Sequence, residues 1–181
     1  LGLLLLGRMP LFDALCITFG SAGTGGFAIK NASMGSYTIY QQAVTTIFMI
    51  LFGVNFNVYF LFYMRKPKEA FRCEEARWYL AIIAASTLII TFFIRDSFEN
   101  LALAFHHAAF QVGTIITTTG FATVDFNLWP AVPRTILVTL MLIGACAGST
   151  GGGIKVSRIV ILFKSVLLEM RRNLHPNVIQ K

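Results

Sequence analysis

Charge is what this 181-residue sequence has least of: Lys, Arg, Asp and Glu make up 13% of it, about half the share of ordinary soluble domains. An ordinary soluble surface is thereby excluded, and 56% of the residues are hydrophobic, gathered in long runs. The runs lack the face-to-face alternation of membrane strands, which lasts about ten residues at a time. A barrel is therefore excluded too, and helices are expected. Cysteine is sparse: Cys16, Cys73 and Cys146 stand far apart, match no metal-ligand spacing and are read as packing residues and one free thiol. Acidic residues number 8 against 15 basic ones. The basic residues sit at the ends of apolar runs, which points to orientation in a membrane rather than to nucleic acid. The sequence has no initiating Met and opens at Leu1 inside a hydrophobic run too short to span. It also lacks a signal-peptide cleavage pattern. The expectation is a truncated first span, in a fragment of a longer protein.

What is present is an order of spans and breaks. Residues 37–64 are apolar, preceded by Gly35 and Ser36 as breaker and cap candidates; as one helix they would reach roughly 40 Å. Residues 65–77 hold Arg65, Lys66, Lys68, Arg72 and Arg77 and form a cytoplasmic loop by the positive-inside rule. A span is expected at 78–94. The stretch 97–117 has a helical pattern but carries Glu99, Asn100, His106, His107 and Gln111, too polar for a lipid-facing span, with Asp96 or Ser97 as its cap. Residues 132–170 as one helix would reach roughly 60 Å, about twice the hydrocarbon thickness. The stretch 144–153 (GACAGSTGGG) interrupts them, since each glycine costs a helix about 1 kcal/mol. Unwound backbone at that depth survives only against protein or water. Lys155, Arg158, Lys164, Arg171 and Arg172 mark the cytoplasmic end. Lys155 is read either as an interfacial anchor or as a positive charge near the pore that helps regulate passage, and 172–181 as a cytoplasmic tail or linker.

The chain repeats itself. Leu11-Phe12-Asp13-Ala14-Leu15 leads to Thr24-Gly25-Gly26-Phe27-Ala28, and Phe105-His106-His107-Ala108-Ala109 leads to Thr118-Thr119-Gly120-Phe121-Ala122, at the same spacing. Each copy is read as a re-entrant helix and loop between spans, both in one orientation. Thr–x–Gly–aromatic resembles the filter of potassium channels, where backbone carbonyls replace the ion's hydration shell. Glycine permits the backbone angles that aim carbonyls at one axis. A preceding helix ends with partial negative charge toward the ion. Hard cations take oxygen ligands, and only oxygens are on offer here.

With these residues in register and the broken helix after them, the chain resembles the Trk/Ktr/HKT superfamily of potassium transporters, of the TrkH type. The resemblance covers nearly the whole chain and corresponds to the second and third of that family's four repeats. It implies an all-α integral membrane protein of repeated span–pore-helix–filter–span units, potassium-channel-like, with the second span of the second repeat broken by a Gly-rich loop. The first repeat would be 1–64, with pore helix ~10–22, filter 24–28 and span 37–64. The second would be 78–171, with span 78–94, pore helix ~97–117, filter 118–122 and broken span 132–170. By the resemblance Thr24, Gly25, Gly26, Thr118, Thr119 and Gly120 would bind potassium, with Phe27 and Phe121 as packing supports. Gly144, Gly148, Ser149, Thr150, Gly151, Gly152 and Gly153 would form a gate, and Asp125 the outer mouth, where the first copy has Asn31 beside Lys30. It further implies potassium as cargo with no covalent cofactor and no enzymatic activity. The site would be the inner plasma membrane, with the filters outside and loop 65–77 and the tail cytoplasmic. Implied partners are the remaining repeats of the pore, a second copy, the bilayer and a cytosolic nucleotide-binding subunit of the TrkA type.

Blander readings stand beside these. The glycine stretch could be a small-residue helix contact; a P-loop is excluded because Ile154 separates Gly153 from Lys155 and no strand precedes it. Ala147-Gly148-Ser149-Thr150-Gly151 resembles a nucleophile elbow without its first glycine, the basis of an intramembrane serine protease alternative. A secondary transporter with broken helices and a midplane substrate is the other alternative. His106 and His107, adjacent on a helix, point apart and are not expected to share a metal.

Overall fold

The computed structural model describes residues 1–174, so residues 175–181 of the expected tail lie outside it. The described residues form nine α-helices and no strand: α1 (Gly2–Leu6), α2 (Leu11–Ala22), α3 (Ile39–Phe52), α4 (Phe56–Tyr63), α5 (Pro67–Phe71), α6 (Glu74–Ile94), α7 (Leu101–Ile116), α8 (Ala131–Ile143) and α9 (Val156–Leu174). Among the described residues Glu74–Ser97 is the one helix long and apolar enough to cross a membrane. Its length, at 1.5 Å per residue, matches a hydrocarbon core of roughly 30 Å.

Several boundaries differ from expectation. The run 37–64 is not one helix: it breaks after Phe52 and bends by 88° between α3 and α4. Asn55 supplies the reason, because its side chain accepts from Asn57 N–H and caps α4. The cap of α3 is Thr38, paired with Gln41 in a reciprocal capping box, rather than Gly35 or Ser36. The stretch 65–77 is only partly loop: α5 lies within it, and α6 starts at Glu74, ahead of position 78. Hydropathy locates lipid contact, whereas a helix begins where its free N–H groups are tolerated, and acidic residues favour that end. Before α7, Arg95–Ser97 is a 3-10 turn, and Asn100, not Asp96 or Ser97, precedes the helix.

The packing centres on α7, which touches α3, α6 and α8, while α2 lies against α3. The C-terminal half of α7 is buried without a gap from Phe110 to Ile116. Its polar residues, which mark it as no lipid-facing helix, each find a partner. His106 meets Gln42 of α3 at 2.8 Å, His107 meets Thr123 at 3.0 Å, and Gln111 Nε2 donates to Val124 O at 2.9 Å. The two imidazoles do not diverge as expected: they meet edge to face with ring centroids 5.3 Å apart, each bound to a different partner, and Phe98 stacks on His107 at 5.0 Å.

Candidate functional site

Helices α2 and α7 end in the same turn. In the first copy Gly23, Thr24 and Gly25 N–H donate to Phe19, Ser21 and Gly20 carbonyls; in the second Thr117, Thr118 and Thr119 N–H donate to Gly113, Ile115 and Thr114 carbonyls, position for position. Thr24 and Thr118 both take left-handed backbone, at φ 50° and 58°, as do Gly26 and Gly120, at 68° and 94°. Each threonine hydroxyl donates to the carbonyl before it, Thr24 to Gly23 O at 2.8 Å and Thr118 to Thr117 O at 2.7 Å. The amides thus fold back on the helix ends. Among the described residues, the carbonyls of 24–26 and 118–120 accept no hydrogen bond.

The two hairpins touch. A Cβ on Gly26 would collide with Thr119 O, so only glycine permits the approach. Above this contact, Met34 N–H donates to Ala122 O at 2.9 Å and Ala122 N–H donates to Ser33 Oγ at 3.2 Å. Asn31 and Asp125 then line one shared cavity of about 410 Å³. Asp125 also caps the turn Phe126–Leu128 by accepting from Asn127 N–H at 2.9 Å. In the first copy Tyr37 OH donates to Asp13 at 2.8 Å. Burial and that carboxylate push the phenol up to about 12, so it stays a neutral donor.

The glycine-rich loop runs directly against both hairpins. Gly144 and Gly153 sit back to back at its neck: a Cβ on Gly153 would lie 2.6 Å from Gly144 Cα. Lys155 N–H donates to Ile143 O at 2.9 Å, so α8 and α9 nearly meet while the residues between loop out. The tip reaches the paired threonines. Thr24 Oγ1 shares its one proton between Gly23 O and Thr150 O, the latter at 3.0 Å, and Gly152 N–H donates to Thr118 Oγ1 at 2.7 Å. Lys155, rather than serving as an interfacial anchor, turns inward and donates to Gly151 O, because that carbonyl faces it across one turn of the loop. Ser149 Oγ donates to Cys146 O at 2.6 Å. Neither His106 nor His107 is its partner among the described residues, since they bond to Gln42 and Thr123.

The two expected supports differ in exposure. Phe121 is 1% exposed and packs against Gly20 of α2, but Phe27 is 85% exposed. The described residues hold no helix in the place that α2 occupies for Phe121. Two further residues escaped the sequence reading. Glu75 accepts from Ala147 N–H at 2.6 Å and from Ser157 N–H at 3.2 Å, and Asn55 donates to the same carboxylate at 3.2 Å. Asn55 within an apolar run was the available signal; Glu75 sat unremarked at the end of a basic stretch.

Comparison with known proteins places this arrangement. Residues 4–181 match the family TrkH, described as cation transport protein. The chain is 35% identical over 179 residues to the Trk system potassium uptake protein TrkH of Salmonella typhimurium, covering 94% of this chain and 36% of that protein. It is 31% identical over 175 residues to the Halomonas elongata protein of the same name, again covering 94% and 36%. The crystal structure of the potassium transporter TrkH from Vibrio parahaemolyticus superposes with a TM-score of 0.92 at 32% identity, over 98% of this chain and 39% of that one. The chain therefore spans little more than a third of the length of these relatives. Matched over residues 4–181, this chain belongs to the TrkH family of cation transport proteins.

Proposed function

We propose that this chain forms two adjoining sides of a potassium-conducting pore. One observation carries the reading: two matching helix-end turns, touching at Gly26 and Thr119, leave carbonyls 24–26 and 118–120 without hydrogen-bond donors among the described residues. In a membrane such groups need a partner, and a dehydrated cation is the partner that several converging carbonyls suit. The C-terminal ends of α2 and α7, which stop just before the turns, add partial negative charge. Thr24, Gly25, Gly26, Thr118, Thr119 and Gly120 bind the ion, with Phe121 as support and Asp125 attracting cations at the outer mouth. Passage inward is controlled by the loop, whose Thr150 and Gly152 hang on Thr24 and Thr118. Potassium moves as cargo when the tip retracts.

The exposed Phe27 supports further repeats: Phe121 lies on the helix of the copy before it, so Phe27 would lie on that of a preceding copy. The other two sides, a second copy of the protein and a TrkA-type regulatory subunit follow from family resemblance, and the relatives' description as a Trk system supports a multi-component assembly. The filters face outward and residues 65–77 face the cytoplasm of an inner membrane. Touching hairpins of one hand favour a shared pore over an inverted-repeat carrier.

The test is Gly120→Ser in a complete transporter carrying this segment. Gly120 sits at φ 94°, where an L-residue costs about 1–2 kcal/mol, so the carbonyl row shifts and potassium-over-sodium selectivity falls. Unchanged relative permeability would remove the filter assignment.

A further inference from the structure

Two neighbours at the start of α6 do different things. Glu74 faces outward to Lys164 of α9 at 2.6 Å, both about half exposed; such pairs contribute little. Glu75 turns inward, half-buried, and collects three donors. Its Oε1 accepts from Ala147 N–H at 2.6 Å and Ser157 N–H at 3.2 Å; its Oε2 accepts from Asn55 Nδ2 at 3.2 Å. Ala147 lies in the first limb of the glycine-rich loop. Ser157 is the second residue of α9, where the N–H has no intrahelical acceptor and the dipole favours an anion. One oxygen therefore fastens the loop's entry to the helix that follows its exit.

Asn55 brings in a third element. It stands at the break between α3 and α4, and that break exchanges backbone bonds with the same loop: Cys146 N–H donates to Gly53 O and Phe56 N–H to Gly148 O, each at 3.1 Å. Two interrupted helices thus satisfy each other's free backbone, with the Glu75 carboxylate at their junction. Asn55 cannot simply turn its amide around, because its Oδ1 already accepts from Asn57 N–H at 2.9 Å.

We propose that Glu75 is the positioning residue of the loop: it clamps the base on the inner side while Thr24 and Thr118 hold the tip. This rests on the gate reading above. All three neighbours are donors, so a carboxylate satisfies them and an amide does not; glutamine would set its own NH2 against that of Asn55. With the base loosened, the tip leaves the hairpins more readily, and flux rises without any change at the filter.

The experiment measures rubidium uptake into vesicles, the potassium-to-sodium permeability ratio and the amount of folded protein, all in the complete transporter. Glu75→Gln raises flux on the order of tenfold, the factor set by losing one charge-assisted hydrogen bond, at an unchanged permeability ratio. Asn55→Asp, which sets two acceptors face to face and keeps the cap of α4, does the same. The double variant Glu75→Gln/Asn55→Asp restores a donor–acceptor pair and returns flux to its starting level. In a transporter lacking residues 148–153, already leaky, Glu75→Gln adds nothing. If the deletion is leaky but Glu75→Gln leaves flux unchanged or lowers it, or the double variant does not restore it, the clamp is overturned and the gate stands. If the deletion itself does not raise flux, the gate reading falls and the clamp falls with it.

Discussion

The two hairpins share a backbone but not a set of braces. Where the second copy has Thr114, Thr117 and Thr119, the first has Gly20, Gly23 and Gly25. The Thr114 hydroxyl accepts from Gly120 N–H at 3.1 Å, and the Thr117 and Thr119 hydroxyls pair at 2.7 Å, both buried. Phe121 closes that copy against α2. The first copy has none of these hydroxyls, and its Phe27 stands open. The conformation is therefore written by what both copies keep, a helix end and glycine at Gly26 and Gly120. The bracing is supplied by neighbours. Glycine at position 20 is itself part of the second copy's bracing, because a Cβ there would press on Phe121 at 3.1 Å.

The largest effect comes from breaking the contact between copies. Gly26→Ala drives a Cβ into Thr119 O, whereas Gly120→Ala meets nothing within 4 Å and bears only the strain of its φ of 94°. Potassium-over-sodium selectivity and folded yield should fall further for Gly26→Ala; equal losses would mean the hairpins do not touch in the membrane. Next come the phenylalanines. Phe121→Ala empties a buried site and should destabilise by about 3–5 kcal/mol, read as thermal unfolding in detergent. Phe27→Ala should cost as much in a complete transporter and almost nothing in this segment, which would separate a covered aromatic from a bare one. The smallest effect is Asp125→Asn, which gives the second mouth the residue of the first, Asn31. Uptake should be about twofold below the parent at low ionic strength, and the difference should vanish in salt, which screens the parent's exposed charge; a difference that persists in salt would place Asp125 among the ligands.

Much of this was legible in the sequence because duplication makes weak signals agree. A single Thr-x-Gly-Phe is common, but two at the same distance from two amphipathic stretches led to α2, α7 and their matching turns. The glycines of 144–153 announced a break because a 39-residue apolar run is too long for the bilayer. The bend at Gly53 and Asn55 escaped because 37–64 was short enough to pass as one tilted span. Glu75 escaped for a different reason: its role lies in what it accepts from residues far along the chain, Ala147 and Ser157, and no local pattern encodes that. Phe27 and Phe121 carry the same letter in the same motif, and only the neighbouring helix distinguishes them.

Anomalous scattering from rubidium in a complete transporter carrying this segment reaches the central point directly. Convergent carbonyls predict an ion peak shared between backbone oxygens of Gly25 and Gly26 and those of Thr119 and Gly120. A peak held by side chains elsewhere, with these oxygens facing protein or lipid, would contradict it.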